Sequence, residues 1–255
     1  MINMKKTWHI LFIMMACTLS SSASSRSDVM IIEATENIRY LGQKISKDYL
    51  YFYHNPEKIE LKEELDKDIE MLELSIHDIG MSTINTDSKN ILDFLTYNKN
   101  EIKELLASKV NKETSILILD YSESFLEGAN SIASVHIYAF SDEEKMLMLM
   151  KELEYLLERV SKYYIASHLN LDTLNNFELM TRAISKVEVI VKDINSYNYP
   201  ENLADTRIKM NGAWKTHKEF LYKSQKLFLP NLLQSSTKNI EVIIETMALY
   251  HKKNQ

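Results

Sequence analysis

The chain has 255 residues, a formal net charge of −6, and only 4 glycines and 3 prolines. Glycine-rich nucleotide loops and turn-dense β folds need more of these two residues, so the composition argues against a parallel α/β fold and a phosphate-cradling site. The acidic balance argues against a nucleic-acid partner, because phosphates require a basic surface. Leu, Ile, Lys and Glu dominate, which is typical of long helices, and we expect an all-α fold.

The N-terminus carries the pattern of an export signal. A short basic stretch, an apolar run of ten residues and a serine-rich stretch follow one another within residues 1–25. Ten residues are too few to span a bilayer as a helix, which needs about 20. The pattern predicts a signal peptide over residues 1–23, cut after Ala23, and a periplasmic mature protein. The alternative is a lipid anchor at Cys17, because residues 14–17 loosely resemble a lipoprotein cleavage box.

Motifs for catalysis and metal binding are missing from the sequence. Cys17 is the only cysteine, so a chain cut after Ala23 has no disulfide, thiol nucleophile or thiolate ligand. No two histidines are three or four residues apart, as a metal pair on one helix face requires. Acidic pairs such as Glu63-Glu64 lie on predicted helix surfaces. We therefore expect no catalytic residue, no metal site, no cofactor and no enzymatic activity.

Apolar residues recur every three or four positions after the export signal, which is the pattern of amphipathic helices. Four helices are predicted in the first half of the chain, over residues 31–52, 61–79, 89–108 and 111–136. Pro56 suits the first position of the second helix because its missing N–H costs nothing there. Gly80 is a plausible C-terminal cap for that helix. His136 falls on the seam of the fourth helix, where a buried, hydrogen-bonded histidine is expected.

The second half of the chain opens with a capping box, formed by Ser141 and Glu144. Four further helices are predicted, over residues 141–164, 177–194, 204–222 and 233–250, with Pro230 near the start of the last. Eight helices with short connections predict two tandem antiparallel four-helix bundles.

An internal repeat supports this division. Residues 38–50 align with residues 153–165 at an offset of 115, with identical Tyr, Leu, Ser, Lys and Tyr residues. Residues 122–127 align with residues 236–241 at nearly the same offset, 114. Chance similarity between amphipathic helices is the alternative explanation. A duplication predicts two domains, at residues 27–140 and 141–253.

The first repeat resembles the first helix of the PilJ-type sensory domain. This is the N-terminal domain of type IV pili methyl-accepting chemotaxis transducers, and it is related to the sensor region of NarX-type nitrate sensors. The family pattern is close to R-M-L-S-Q-R-M-A-K-x-Y-L. Six residues fit it directly: Arg39, Leu41, Gln43, Lys47, Tyr49 and Leu50. Lys44 replaces the second arginine, and Gly42 and Ser46 replace other small residues. The resemblance implies two tandem copies of a periplasmic bundle that senses a small ligand.

The resemblance also implies a ligand site. In nitrate-binding members of the family, arginines of the first helix hold the anion at a subunit interface. This implies nitrate or nitrite as the ligand and ligand-binding roles for Arg39, Gln43, Lys44 and Ser46. The residues themselves agree, because Arg39, Gln43 and Ser46 recur at spacings of four and three, and a guanidinium donates two parallel hydrogen bonds to a planar oxyanion. The alternative is that Arg39 is a solvated surface residue that binds no ligand.

The second repeat weakens the anion hypothesis, because Glu154 occupies the position of Arg39. If the two copies pack through their first helices, Glu154 is expected to pair with Arg39 and fill the site. A homodimer that joins two copies of Arg39 would restore the site.

Two functions are consistent with these features. The first is an exported module that senses or binds a small ligand and acts through a membrane chemoreceptor or sensor kinase, because no membrane span follows the export signal. The alternative is a structural or adaptor protein that binds a partner through a helix face without a small ligand.

Overall fold

A computed structural model describes residues 4–136, 138–224 and 227–255, with side chains from Arg26 onward except that of Thr173. These residues form eight α-helices and no strand, which confirms the all-α class. The helices are α1 (Met4–His54), α2 (Ile59–Ser82), α3 (Thr86–Ala107), α4 (Lys112–Val135), α5 (Asp142–His168), α6 (Thr173–Ser196), α7 (Glu201–Lys223) and α8 (Pro230–Lys253).

The helices surround two hydrophobic cores. Helices α1–α4 enclose one core, with Ile38 and Phe125 among its fully buried side chains. Helices α5–α8 enclose the other, into which Leu50 and Tyr51 reach from the end of α1. Neighbouring helices run antiparallel in each group. For example, Glu143 of α5 contacts His251 of α8, and Ser161 Oγ of α5 lies 3.0 Å from Thr237 Oγ1 of α8, so residue numbers rise along one helix as they fall along the other. This is the arrangement that the apolar spacing predicts.

The two groups of helices pack side by side through their first helices, α1 and α5. Lys151 Nζ lies 3.2 Å from Asn37 Oδ1, and Lys47 Nζ lies 2.9 Å from Glu158 Oε1. Residue numbers rise together in these two pairs, so α1 and α5 run parallel. Residues that the internal repeat equates therefore lie at nearly the same level on the two helices.

Several helix boundaries follow from capping. Ser141 and Glu144 form the predicted capping box at the start of α5. The prediction that Gly80 ends α2 is wrong, because no glycine among the described residues adopts the positive φ of a glycine cap and α2 continues to Ser82. Pro56 lies in the turn before α2 rather than at its first position, whereas Pro230 does begin α8.

His136 lies outside the core in which it was expected. Helix α4 ends at Val135, and His136 is the capping residue that follows it. Its ring Nδ1 lies 2.9 Å from Asp28 Oδ1 on α1. The histidine is therefore hydrogen-bonded as expected, but it fastens the end of α4 to α1 instead of packing in the apolar seam.

The expected export signal falls largely outside the described part of the molecule. The α1 backbone is helical from Met4, but Cys17 and the cleavage point after Ala23 precede the residues whose side chains are described. The signal peptide and the alternative lipid anchor stay predictions. Within the described ranges, no helix combines the length and the hydrophobicity needed to cross a membrane.

Candidate ligand site between the bundles

Arg39 of α1 faces α4, and its guanidinium already has hydrogen-bond partners within the protein. Its Nε donates to Asn130 Oδ1 at 2.8 Å, and its Nη1 pairs with Glu36 Oε1 one helical turn away. Only 13% of its side chain is exposed. The expected pair with Glu154 is wrong, because Glu36 and Asn130, both in the first bundle, hold the guanidinium instead.

The other three predicted ligand residues face different neighbours. Gln43 is fully buried, and its Nε2 donates to the carbonyl of Ser122 on α4 at 3.1 Å. Lys44 points to α2, where its Nζ pairs with Asp68. Ser46 is fully buried. The structure therefore does not gather the predicted residues around one ligand position.

Buried charges, which the sequence patterns did not reveal, tie α1 to α5. Lys47 Nζ lies 2.7 Å from Glu158 Oε2 and 3.2 Å from Asp48 Oδ1, and all three side chains are nearly inaccessible. Burial disfavours the charge on Lys47, but Asp48 and Glu158 more than offset this and raise the pKa of Lys47 above its ordinary value. A stable cation therefore lies between the two helices.

Lys162, the repeat counterpart of Lys47, makes the reciprocal contact from α5 to the first bundle. Its Nζ donates to Ser122 Oγ at 2.8 Å and lies 2.6 Å from Glu123 Oε1 on α4. Arg159 and the hydroxyl of Tyr163 contact the same carboxylate, at 2.7 and 2.8 Å. Burial alone raises the pKa of Glu123, but the two cations reverse this and hold it below its ordinary value. We call this side of the interface the α4 side. Here the cationic side chains of Lys162 and Arg159 pair with the carboxylate of Glu123.

The α8 side of the interface contains an open groove of 550 Å³ between α1, α5 and α8, which we call the α8 groove. Its lining comprises Glu33, Tyr40, Leu147, Lys151, Glu154, Lys238, Glu241, Val242, Glu245, Ala248, Leu249 and Lys252. A smaller cleft of 340 Å³, bordered also by α2, shares Tyr40, Lys238 and Glu241 with it. The groove therefore combines apolar walls, one aromatic ring and several charged groups.

Two carboxyl groups in the α8 groove form no direct ion pair with any described residue. Glu154 is acted on by the charge of Lys151, and the carboxyl group of Glu241 shares a hydrogen bond with that of Glu158. Burial raises the pKa of Glu154 to about 7. Burial, together with the nearby Glu158, raises the pKa of Glu241 to about 9. Perturbed carboxyl groups in a groove mark a candidate functional site.

Divergence of the repeat explains why the two sides differ. Arg39 aligns with Glu154, so the α4 side has a cation where the α8 side has a carboxyl group. Glu123 aligns with Thr237, so Lys44, the counterpart of Arg159, finds no carboxylate at that position of α8 and turns to α2. The substitution at Glu154 was visible in the sequence, but its consequence depends on how α1 and α5 pack.

In the described ranges, no group of three or more His, Cys, Asp or Glu residues is arranged to hold a metal ion. Comparison with protein-family models, curated proteins and solved structures finds no match to this chain. The resemblance of residues 39–50 to the PilJ-type sensory domain therefore stays a prediction.

Proposed function

We propose that the protein is an exported helical-bundle protein that binds a small ligand in the α8 groove. The groove is the observation that supports the proposal. It has a volume of 550 Å³ where the two bundles meet, with Leu147 and Val242 on its walls beside the carboxyl groups of Glu154 and Glu241. Ligand sites of this kind combine apolar walls with a few polar groups, and they occur between helices of bundles and at domain interfaces.

A ligand in this groove touches both bundles. Tyr40 belongs to α1, whereas Glu154 and Glu241 belong to α5 and α8. Binding therefore favours one packing of α1 against α5 over others, and this difference is what a partner can recognise. We propose that a membrane chemoreceptor or sensor kinase is this partner, which follows the expectation from the PilJ-type resemblance.

The ligand position proposed from the structure differs from the one expected from the sequence. Nitrate or nitrite at Arg39 would have to displace Glu36 and Asn130, which already hold the guanidinium. The α8 groove needs no such displacement. Nitrate and nitrite therefore enter the test as one ligand class among several.

A thermal-shift screen of the purified chain tests the function. The screened classes are nitrate and nitrite, primary amines, amino acids and neutral polyols. Ala248 lines the α8 groove, and Ala248→Trp would fill it; Ala107→Trp, at the exposed end of α3, is the matched control. A ligand at 100 times its Kd stabilises by about 2.7 kcal/mol, which raises the Tm of a chain of this size by roughly 5–10 °C.

We expect one class to raise the Tm of the wild-type chain and of Ala107→Trp but not that of Ala248→Trp. An equal shift in both variants would place the ligand elsewhere. Failure of every class would count against a ligand-binding function.

A second candidate function is an adaptor protein, which exposed apolar side chains on α3 favour. Phe94 and Tyr97 lie one turn apart and are 53% and 56% exposed. A partner helix would bury them and gain the corresponding hydrophobic free energy. If ligand binding fails but the chain retains a membrane receptor in affinity purification, and Phe94→Ser with Tyr97→Ser abolishes that retention, the adaptor function is supported.

A further inference from the structure

The carboxyl groups of the α8 groove indicate the chemical class of its ligand. This inference rests on the proposed function. We propose that the ligand is an organic ammonium ion, whose charge lies between Glu154 and Glu241 and whose carbon chain lies along the apolar walls. The groove supplies these walls with Leu147, Val242 and Leu249.

The α4 side of the interface shows how this protein satisfies a carboxylate in the equivalent setting. There Glu123 receives two cationic groups, from Lys162 and Arg159, and a hydroxyl hydrogen bond from Tyr163. Charge-assisted hydrogen bonds of this kind are roughly twice as strong as neutral ones. On the α8 side, Lys47 pairs directly with Glu158, whereas neither Glu154 nor Glu241 forms a direct ion pair among the described residues. A ligand ammonium at these two groups would take the place that cationic side chains occupy at Glu123 on the α4 side.

Tyr40 adds a second group suited to an ammonium ion. It lies beside both Glu154 and Glu241, and burial together with the nearby carboxyl groups raises the pKa of its hydroxyl above the ordinary value. An aromatic ring next to carboxylates is a favourable environment for a cation, through its negatively polarised face.

The lysines of the groove form no direct ion pair with Glu154 or Glu241 among the described residues, although the charge of Lys151 acts on Glu154. Lys238 and Lys252 are exposed to solvent at the rim, and Lys151 Nζ donates to Asn37 Oδ1. Glu33 and Glu245 also line the groove, so a second ammonium group of the ligand has further carboxylates to pair with. A diamine with an apolar spacer therefore fits the groove better than an anion does.

Isothermal titration calorimetry of the full chain tests this with three probes that share one carbon skeleton. These are 1,5-diaminopentane, 1,5-pentanediol and glutarate, which are cationic, neutral and anionic. We expect heat of binding from the diamine alone. Binding should also release protons, because the ammonium favours ionised Glu154 and Glu241; titrations in buffers of different ionisation enthalpy measure that release.

Isosteric variants locate the charge. We expect Glu154→Gln and Glu241→Gln each to weaken diamine binding roughly 10- to 100-fold, the cost of losing a hydrogen bond to a charged group. Glu127→Gln on α4 is the matched control, because Glu127 is the repeat counterpart of Glu241 and lies exposed outside the groove. The affinity of Glu127→Gln for the diamine should equal that of the wild-type chain.

The outcomes separate this inference from the proposed function. Binding of glutarate or nitrate that Ala248→Trp abolishes would overturn the ammonium ligand and leave the groove as the binding site. Diamine binding that survives both glutamate substitutions would overturn the placement of the charge. No heat from any probe, together with no thermal shift in the wider screen, would overturn both.

Discussion

Replacing Gly42 by alanine tests how closely α4 packs on α1. A Cβ atom at this position would lie 2.9 Å from Cβ of Phe125 and 3.5 Å from two of its ring atoms. Because Cβ of Phe125 is fixed to the α4 backbone, the added methyl must displace a helix rather than rotate a side chain. Overpacking of this kind costs about 1–3 kcal/mol, whereas the better helix propensity of alanine contributes about 1 kcal/mol in the opposite direction. We expect Gly42→Ala to lower the free energy of unfolding by about 1 kcal/mol.

Equilibrium urea unfolding measures this change, and Gly212→Ala is the matched control. A Cβ at Gly212 on α7 would meet nothing within 4 Å, so the same substitution should raise the free energy of unfolding by about 0.5–1 kcal/mol. The two variants should therefore move in opposite directions. If Gly42→Ala stabilises the protein as much as Gly212→Ala does, the close approach of α4 to α1 is refuted.

Three further predictions use the same unfolding assay. His217 is fully buried beside Ser236, and burial lowers its pKa to about 4. Because the unfolded chain binds the proton at higher pH than the folded chain does, the free energy of unfolding should fall by roughly 3 kcal/mol as pH drops from 6.5 to 4. His217→Gln should make that decline shallower. Lys47→Met should cost about 3–5 kcal/mol because it strands the buried carboxylate of Glu158, and adding Glu158→Met should recover most of that loss. The raised pKa of Glu154 makes the folded state lose stability as pH rises from 4.5 to 7, so Glu154→Gln should be more stable than wild type at pH 8, by up to roughly 3 kcal/mol.

The helices were predictable because most of them bury one face. A single apolar stripe fixes both the existence and the register of such a helix, as the seam of Leu65, Ile69 and Leu72 does for α2. Boundaries were less predictable, because local signals compete. Gly80 and Pro56 are both common at helix ends, yet neither forms one here.

The α1–α5 interface explains why the candidate site was predicted only in part. Helix α1 buries one face in its own bundle and another against α5, so Gln43 and Ser46 are fully buried although they lie outside the apolar stripe. A helical-wheel analysis that assumes a single buried face predicts that such polar residues are exposed to solvent. The alignment of Arg39 with Glu154 was available from the sequence, but only the parallel packing of α1 and α5 shows that one side is closed by ion pairs and the other is open.

Native mass spectrometry of the full chain tests the ligand site most directly. The wild-type chain, Ala248→Trp and Ala107→Trp are each mixed with equal amounts of 1,5-diaminopentane, 1,5-pentanediol, glutarate and nitrate. We predict a mass increase of one diamine on the wild-type chain and on Ala107→Trp, and none on Ala248→Trp. No bound molecule on any chain, or the same adduct on all three, would contradict the assignment of the α8 groove as the ligand site.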